Sequence, residues 1–181
     1  MLIGLIGKKQ VGKDTFGQIV TEHYGFQKRA FADPIKECCQ LLFQLREEQL
    51  HDPVLKETVV PQWNQTPRQM MQQIGTDLFR NHYDPQFWIK VFQSWYEEQR
   101  RQSMHTSIVC TDIRFQNEAE CIQSLGGILI RIQRPLNTQD DLHESEQLCI
   151  STELMDYEII NDSTLESFQN KIHELLSILL G

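Results

Sequence analysis

Gly7-Lys8-Lys9-Gln10-Val11-Gly12-Lys13-Asp14-Thr15 follows directly on an apolar run, Leu2 to Ile6. Gly7 and Gly12 allow positive φ and close approach, so successive backbone N–H groups can turn inward onto an anion. Lys13 adds a charge able to follow the β and γ phosphates of a nucleoside triphosphate, and a helix beginning near it adds the positive end of its dipole. Gly7, Lys8, Gln10, Val11, Gly12, Lys13, Asp14 and Thr15 are therefore the candidates for binding a phosphoryl donor. Where such loops commonly carry a Ser or Thr whose hydroxyl binds magnesium, this chain has Asp14, and Thr15 follows it. A carboxylate facing a triphosphate is tolerable only with a cation between them, so Asp14 is expected to hold Mg²⁺ directly or through a water. The alternative for the loop is a Gly-rich strand-to-helix turn without a ligand. For Asp14 it is a solvated first-turn acid that only favours the helix dipole.

A second constellation lies downstream. Ser107-Ile108-Val109-Cys110-Thr111-Asp112 is a mostly apolar strand that delivers a carboxylate at its carboxyl end, and Arg114 comes two residues later. In a parallel sheet that strand end can lie beside the phosphate loop, with Asp112 on a metal-bound water and Arg114 on a phosphate. Alternatively Asp112 caps the next helix and Arg114 is solvated. Transfer of phosphate between two anions needs cations around both, and Arg68, Arg80, Arg114, Arg131 and Arg134 are available. Arg68 sits in a first helical turn, where the dipole disfavours a cation, which hints at a phosphate partner. His143-Glu144-Ser145-Glu146 fits either a closing lid or a solvated acidic loop. No nucleophile and base pair is evident, so the expected chemistry is direct in-line transfer without a covalent enzyme intermediate.

Helix and strand signals show how these residues would be placed. Thr15 to Tyr24 has an apolar face of Phe16, Ile19, Val20 and Tyr24, ended by Gly25. A short strand, Gln27 to Phe31, precedes Asp33-Pro34, which reads as an N-cap with proline at the first helical position. Thr66-Pro67-Arg68-Gln69 combines cap, proline and capping-box partner, with Met70, Met71, Ile74 and Leu78 as the stripe behind it. Asp84-Pro85 opens a further helix bearing Trp88, Val91, Phe92, Trp95 and Tyr96. Residues 46–65 show no clear period and read as a surface excursion or mobile flap. Thr106 to Thr111 is a buried-type strand, Phe115 to Leu125 a helix, Gly127 to Ile132 a strand and Tyr157 to Ile160 a short strand. Ser163 and Glu166 form a capping box for a last helix, with Leu165, Phe168, Ile172, Leu175, Leu176 and Leu179 as its buried face. This alternation gives an α/β layer structure of about five parallel strands with helices on both faces, and ligands at the strand carboxyl ends.

Size and charge narrow the class. A chain of 181 residues with 40% hydrophobic content fits one domain with a sizeable core. No stretch approaches the roughly 18 consecutive apolar residues of a membrane span, and no basic region precedes a long apolar segment, so a soluble, unsecreted, cytoplasmic protein is expected. Cys38, Cys39, Cys110, Cys121 and Cys149 lack zinc spacing and read as reduced thiols. The net charge of −8 argues against an open nucleic-acid surface, while a small anionic substrate stays compatible with a few arginines in a cleft.

Taken in order, the Gly7 to Thr15 loop, Phe31-Ala32-Asp33-Pro34-Ile35-Lys36, Thr66-Pro67-Arg68, Ile74-Gly75-Thr76-Asp77-Leu78-Phe79-Arg80, Asp84-Pro85 with Trp88, Thr111 to Ala119, Gly126-Gly127, Arg134-Pro135, His143-Glu144-Ser145-Glu146 and Asn161-Asp162 resemble the deoxynucleoside monophosphate kinases of phages and large DNA viruses. The resemblance covers nearly the whole chain. It implies a three-layer P-loop kinase fold in a single domain, 1–181, with an acceptor-binding helical region at about 33–102 and a lid at about 134–155. It also implies transfer of the γ-phosphoryl group of ATP to a deoxynucleoside monophosphate with Mg²⁺, in the host cytoplasm if the source is viral. Carried over by position, the loop binds the donor, Asp14 and Asp112 organise the metal, and Arg68 and Arg114 face phosphates. Asp33, Lys36 and Trp88 are acceptor-side candidates, and Asn161 passes the adenine. Arg134 stands at the start of a lid that is otherwise acidic, unlike the arginine-rich lids of the wider kinase class. The rival readings are a kinase for another small phosphorylated acceptor, such as phosphomevalonate or dephospho-coenzyme A, and a non-catalytic ATP-binding regulatory module. A guanine switch is disfavoured by the lack of an N-K-x-D motif. Nothing in the sequence decides whether the chain forms a homodimer.

Overall fold

The run Leu2–Ile6 forms strand β1, and all five of its residues are buried. A strand without polar alternation is what a parallel sheet covered on both faces requires. In the computed structural model, which describes residues 1–103, 106–135 and 150–181, β1 is the middle strand of a five-stranded sheet. The order is β2 (Gln27–Arg29), β3 (Ile108–Ile113), β1, β4 (Ile128–Gln133), β5 (Tyr157–Ile160), with every neighbouring pair parallel. Alternation along the strands divides the core. Ile3, Leu5, Val109, Ile130, Ile132 and Ile159 pack with Phe16, Ile19 and Val20 of α1 (Lys13–Tyr24) and with Phe168, Ile172, Leu175 and Leu176 of α7 (Leu165–Leu180). The opposite side of β1 and β4 carries α6 (Gln116–Ser124), which buries Ala119, Cys121 and Ile122. This is the α/β layering expected from the alternation of elements.

The chain divides into two compact units, residues 1–30 with 93–181, which hold the sheet, and residues 31–92. The second unit is helical. It contains α2 (Asp33–Phe43), α3 (Glu47–His51), a 3₁₀ turn (Leu55–Glu57), α4 (Pro67–Gln72), a π-helix (Gln73–Tyr83) and the first residues of α5 (Phe87–Gln102). Cys39, Leu45, Leu50, Met70 and Ile74 form its core. The Thr66 capping box is present: Thr66 Oγ1 accepts from the Gln69 N–H at 3.2 Å, and Gln69 Oε1 accepts from the Thr66 N–H at 2.9 Å.

Several local expectations are corrected. Residues 46–65 run mostly over the surface, yet they carry local structure: they hold α3, the 3₁₀ turn and an antiparallel bridge between Val60 and Gln65, with Leu50 fully buried. Elements this short do not span enough turns to show a period. Leu78 leaves the buried stripe and is 50% exposed. The i→i+5 bonding of the π-helix widens the turn and shifts the phase of the side chains, and Phe79 stacks instead on Phe87, with ring centroids 4.5 Å apart. Asp33 is the first helical residue of α2 rather than its cap, which falls on Ala32. The helix after Asp84-Pro85 begins only at Phe87, because Asp84 first closes a turn by accepting from the Gln86 N–H at 2.8 Å. At α7 the cap is Thr164, whose hydroxyl accepts from the Ser167 N–H at 3.2 Å, so Ser163 and Glu166 form no capping box. Leu165 thereby becomes the first helical residue and is 61% exposed. β3 lies two residues later than Thr106 to Thr111, and β2 ends at Arg29 rather than Phe31.

Cys39, Cys110 and Cys121 are buried free thiols. Burial, which penalises the thiolate, pushes Cys39 up to about 12, Cys121 up to about 11 and Cys110 well above the ordinary range. Cys149 lies outside the described residues. Among those residues, no helix is long and apolar enough to cross a membrane.

Leu50→Ala should lower unfolding stability by about 2–5 kcal/mol, as loss of a buried leucine does. Urea titration checks this, and an unchanged midpoint would mean that the 46–65 segment is solvated after all.

Candidate active site

The turn from β1 into α1 is tied down from several sides. Val11 is buried in the core beneath the loop. Gly12 occupies the N-cap of α1 with φ 116° and ψ 11°, a conformation that side chains resist. A Cβ there would also stand 2.8 Å from the Phe168 ring and 3.0 Å from Asn161 Nδ2. At Gly7 a Cβ would stand 2.5 Å from the Ile132 carbonyl oxygen, so only glycine lets the chain leave β1 alongside β4. Lys13 folds back so that its ammonium donates to the carbonyls of Gly7 at 2.6 Å and Lys8 at 2.7 Å. Asn161, just past β5, donates from Nδ2 to the Val11 carbonyl at 2.9 Å.

Beside this loop is a cleft of about 330 Å³, lined by Gln10, Gly12, Lys13, Asp14 and Thr15 and, from the other end of the chain, by Arg134, Asn161, Ser163, Leu165 and Phe168. The fold thus unites Gln10, Gly12, Lys13, Asp14 and Thr15 with Arg134 and Asn161, while Gly7, Lys8 and Val11 do not line the cleft. The sequence carries no site signal for Ser163, Leu165 or Phe168: Ser163 reads as a cap, and Leu165 and Phe168 as parts of an apolar stripe. The second role of Phe168 arises because the start of α7 passes the mouth of the loop.

The acids differ in setting. The Asp14 side chain is 92% exposed and receives the Lys28 ammonium at 3.0 Å. Asp112 is the penultimate residue of β3, and Ile113 is level with Ile6 of β1, which sets Asp112 next to the start of the loop. Cys110 Sγ donates to its Oδ1 at 3.6 Å. The N-cap position of α6 is Phe115, and buried Glu118 in the first turn accepts from the backbone N–H groups of Arg114 at 2.9 Å and Phe115 at 3.2 Å. Among the described residues no cluster of three His, Cys, Asp or Glu side chains could cage a metal. One or two carboxylates shared with substrate phosphates and waters is the usual Mg²⁺ arrangement, and Asp14 and Asp112 fit that donor set.

In the helical unit, Arg68 Nε pairs with Glu57 Oε1 at 2.5 Å and Lys36 with Asp33 at 3.2 Å. Trp88 is only 4% exposed, and its indole N–H donates to the Gly75 carbonyl at 2.7 Å. It is an interior residue that holds the π-helix against α5. Arg80 is buried, and Arg131 lies 3.7 Å from Glu158. His143, Glu144, Ser145 and Glu146, like residues 136–149 of the expected lid, lie outside the described residues.

The sequence model of the deoxynucleotide monophosphate kinase family matches residues 1–61 and 55–172. The chain belongs to this family. It is thus a kinase of nucleotide metabolism, a phosphotransferase acting on deoxynucleotide monophosphates, and the family implies the use of ATP. An Acanthamoeba polyphaga mimivirus protein provisionally named a deoxynucleotide monophosphate kinase is 39% identical over 95% of this chain and 94% of its own length. The deoxynucleotide monophosphate kinase of Enterobacteria phage T4 is 31% identical over 65% of this chain, a match that spans 47% of the phage protein. The fold resembles a dephospho-CoA kinase from Campylobacter jejuni, with TM-score 0.56 and 16% identity over 98% of this chain and 96% of that one. It also resembles a shikimate kinase from Aquifex aeolicus, with TM-score 0.54 and 14% identity over the same shares.

Asn161→Ala removes the bond to the Val11 carbonyl. Stability should fall by about 1 kcal/mol and ATP affinity by several-fold, read by thermal melting and calorimetric titration. ATP binding as tight as in the parent would show that the loop does not need this clamp.

Proposed function

We propose that the protein moves the γ-phosphoryl group of ATP directly onto a deoxynucleoside monophosphate, giving the deoxynucleoside diphosphate and ADP. The observation that carries this is the cleft in which Gly12, Lys13, Asp14 and Thr15 meet Arg134 and Asn161. Loop N–H groups and the α1 dipole bind the triphosphate, and Lys13 follows the β and γ oxygens. Asn161 fixes the loop and lies at the adenine side, while Arg134 meets charge at the cleft rim. Mg²⁺, held by Asp14 and Asp112, would offset charge between the β and γ phosphates. Arg114 supplies a cation near the transferring group. The helical unit carries the acceptor-side residues, with Arg68 for the monophosphate and Asp33 and Lys36 beside it. Trp88 supports this region from inside rather than touching substrate.

Because the loose transition state asks for positioning and charge rather than bond-making groups, removal of one well-placed cation should be severe. Lys13→Ala should lower transfer by about 10²-fold or more with circular dichroism unchanged and stability lower by about 1–3 kcal/mol, the loss of its bonds to the Gly7 and Lys8 carbonyls. Coupled assays should show turnover with deoxynucleoside monophosphates and none with phosphomevalonate or dephospho-coenzyme A. Turnover confined to the latter compounds, or calorimetry showing ATP binding without any monophosphate binding, would replace this reading by one of its rivals.

A further inference from the structure

Lys28 belongs to no motif, lies on β2 rather than on the loop, and nonetheless reaches the loop's unusual acid. Its stem passes α1 at Gly17, where an added Cβ would stand 3.8 Å from Lys28 Cδ and 2.8 Å from the Thr111 methyl. Glycine inside a helix is less favourable than alanine, and here it leaves α1 close against β3 and the lysine stem. The stem is thereby guided up the helix, and the ammonium ends 3.0 Å from Asp14 Oδ1, one turn closer to the cleft. Lys28 is 44% exposed and Asp14 92%, so water can replace either partner.

A carboxylate at this point of a phosphate loop poses an electrostatic problem that a serine or threonine does not. It repels the incoming triphosphate unless a cation accompanies it. We propose that Lys28 is a positioning residue that serves as the resident cation on Asp14, making the loop receptive to ATP before magnesium is engaged and yielding the carboxylate when the metal binds there. Lysine suits this role because its compact ammonium on a flexible stem can withdraw, whereas a guanidinium fork favours fixed bidentate pairing. The consequence is a competition between Lys28 and Mg²⁺ for one carboxylate. Lys28 thus reduces how strongly ATP binding depends on magnesium.

The inference rests on the reading of Asp14 as a metal-side ligand, and the test separates the two. ATP binding to the full chain is measured calorimetrically with Mg²⁺ and with EDTA for the parent, Lys28→Met, Lys28→Arg, Asp14→Asn and the Lys28→Met/Asp14→Asn pair, each checked by melting. Lys28→Met keeps the stem and removes the charge. It should weaken metal-free ATP binding by about fivefold or more, a usual scale for coupling between sites, while Mg-ATP binding stays within about twofold or tightens. Lys28→Arg should restore much of the metal-free affinity, and in the Asp14→Asn background Lys28→Met should add little. An equal loss with and without Mg²⁺ would overturn the proposal and leave Lys28 a general contributor of charge or packing. If Asp14→Asn leaves the magnesium dependence of the parent unchanged, the metal role of Asp14 falls, and the Lys28 inference falls with it.

Discussion

The bonds that hold the carbonyl oxygens of the β1–α1 turn govern the rest of the molecule. An anion-binding turn has to direct its N–H groups at the ligand, so its carbonyls need other partners. Lys13 engages those of Gly7 and Lys8, and Asn161 engages that of Val11. The first is local, between residues of one motif. The second spans 150 positions of sequence and exists only because β5 sits two strands away from β1 in the sheet.

From that constraint the arrangement of the sheet unit follows. β1 must be central and buried so that its end is rigid, and the strands on either side then have distinct duties. β3 brings Asp112 next to the loop, and β4 crowds Gly7 so closely that no side chain fits. α7 adds Phe168 under Gly12. Packing and phosphate recognition are served by the same atoms, which is why glycine at positions 7 and 12 answers a steric demand as well as a conformational one. Asp14 stands outside this rigid frame, exposed, with its charge balanced by a lysine from β2. It is the part of the site able to change partners without disturbing the fold.

The helical unit is organised differently. Its core is small and is completed by aromatic rings, with Phe79 against Phe87 and Trp88, and by the π-helix that carries Gly75 under the Trp88 indole. A wide helical turn costs hydrogen-bond quality and is retained where geometry is needed. Here it turns Phe79 inward and Leu78 outward. Arg68, with its guanidinium on Glu57, illustrates how a cation at the start of a helix is stabilised by a nearby acid from the preceding segment.

The sequence by itself determined the strand–loop–helix chemistry, the α/β layering and the ordered residues by which the family was recognised, because glycine placement, a lysine after it and apolar periodicity are local signals that need no partner to be read. It also marked Thr66 as a cap and Asp112 as a strand-end acid. Tertiary structure alone decided the short helix and bridge within 46–65, the phase change at Leu78, the choice of Thr164 over Ser163 as cap, and the interior place of Trp88. In each case the outcome depends on which neighbour fills the space, and no pattern within a few residues carries that information. The partners of the site were hidden for the same reason: Asn161 on Val11, Phe168 beneath Gly12, Glu57 on Arg68 and Lys28 on Asp14 meet only after the chain has folded, so their pairing is a property of the packing and not of their spacing.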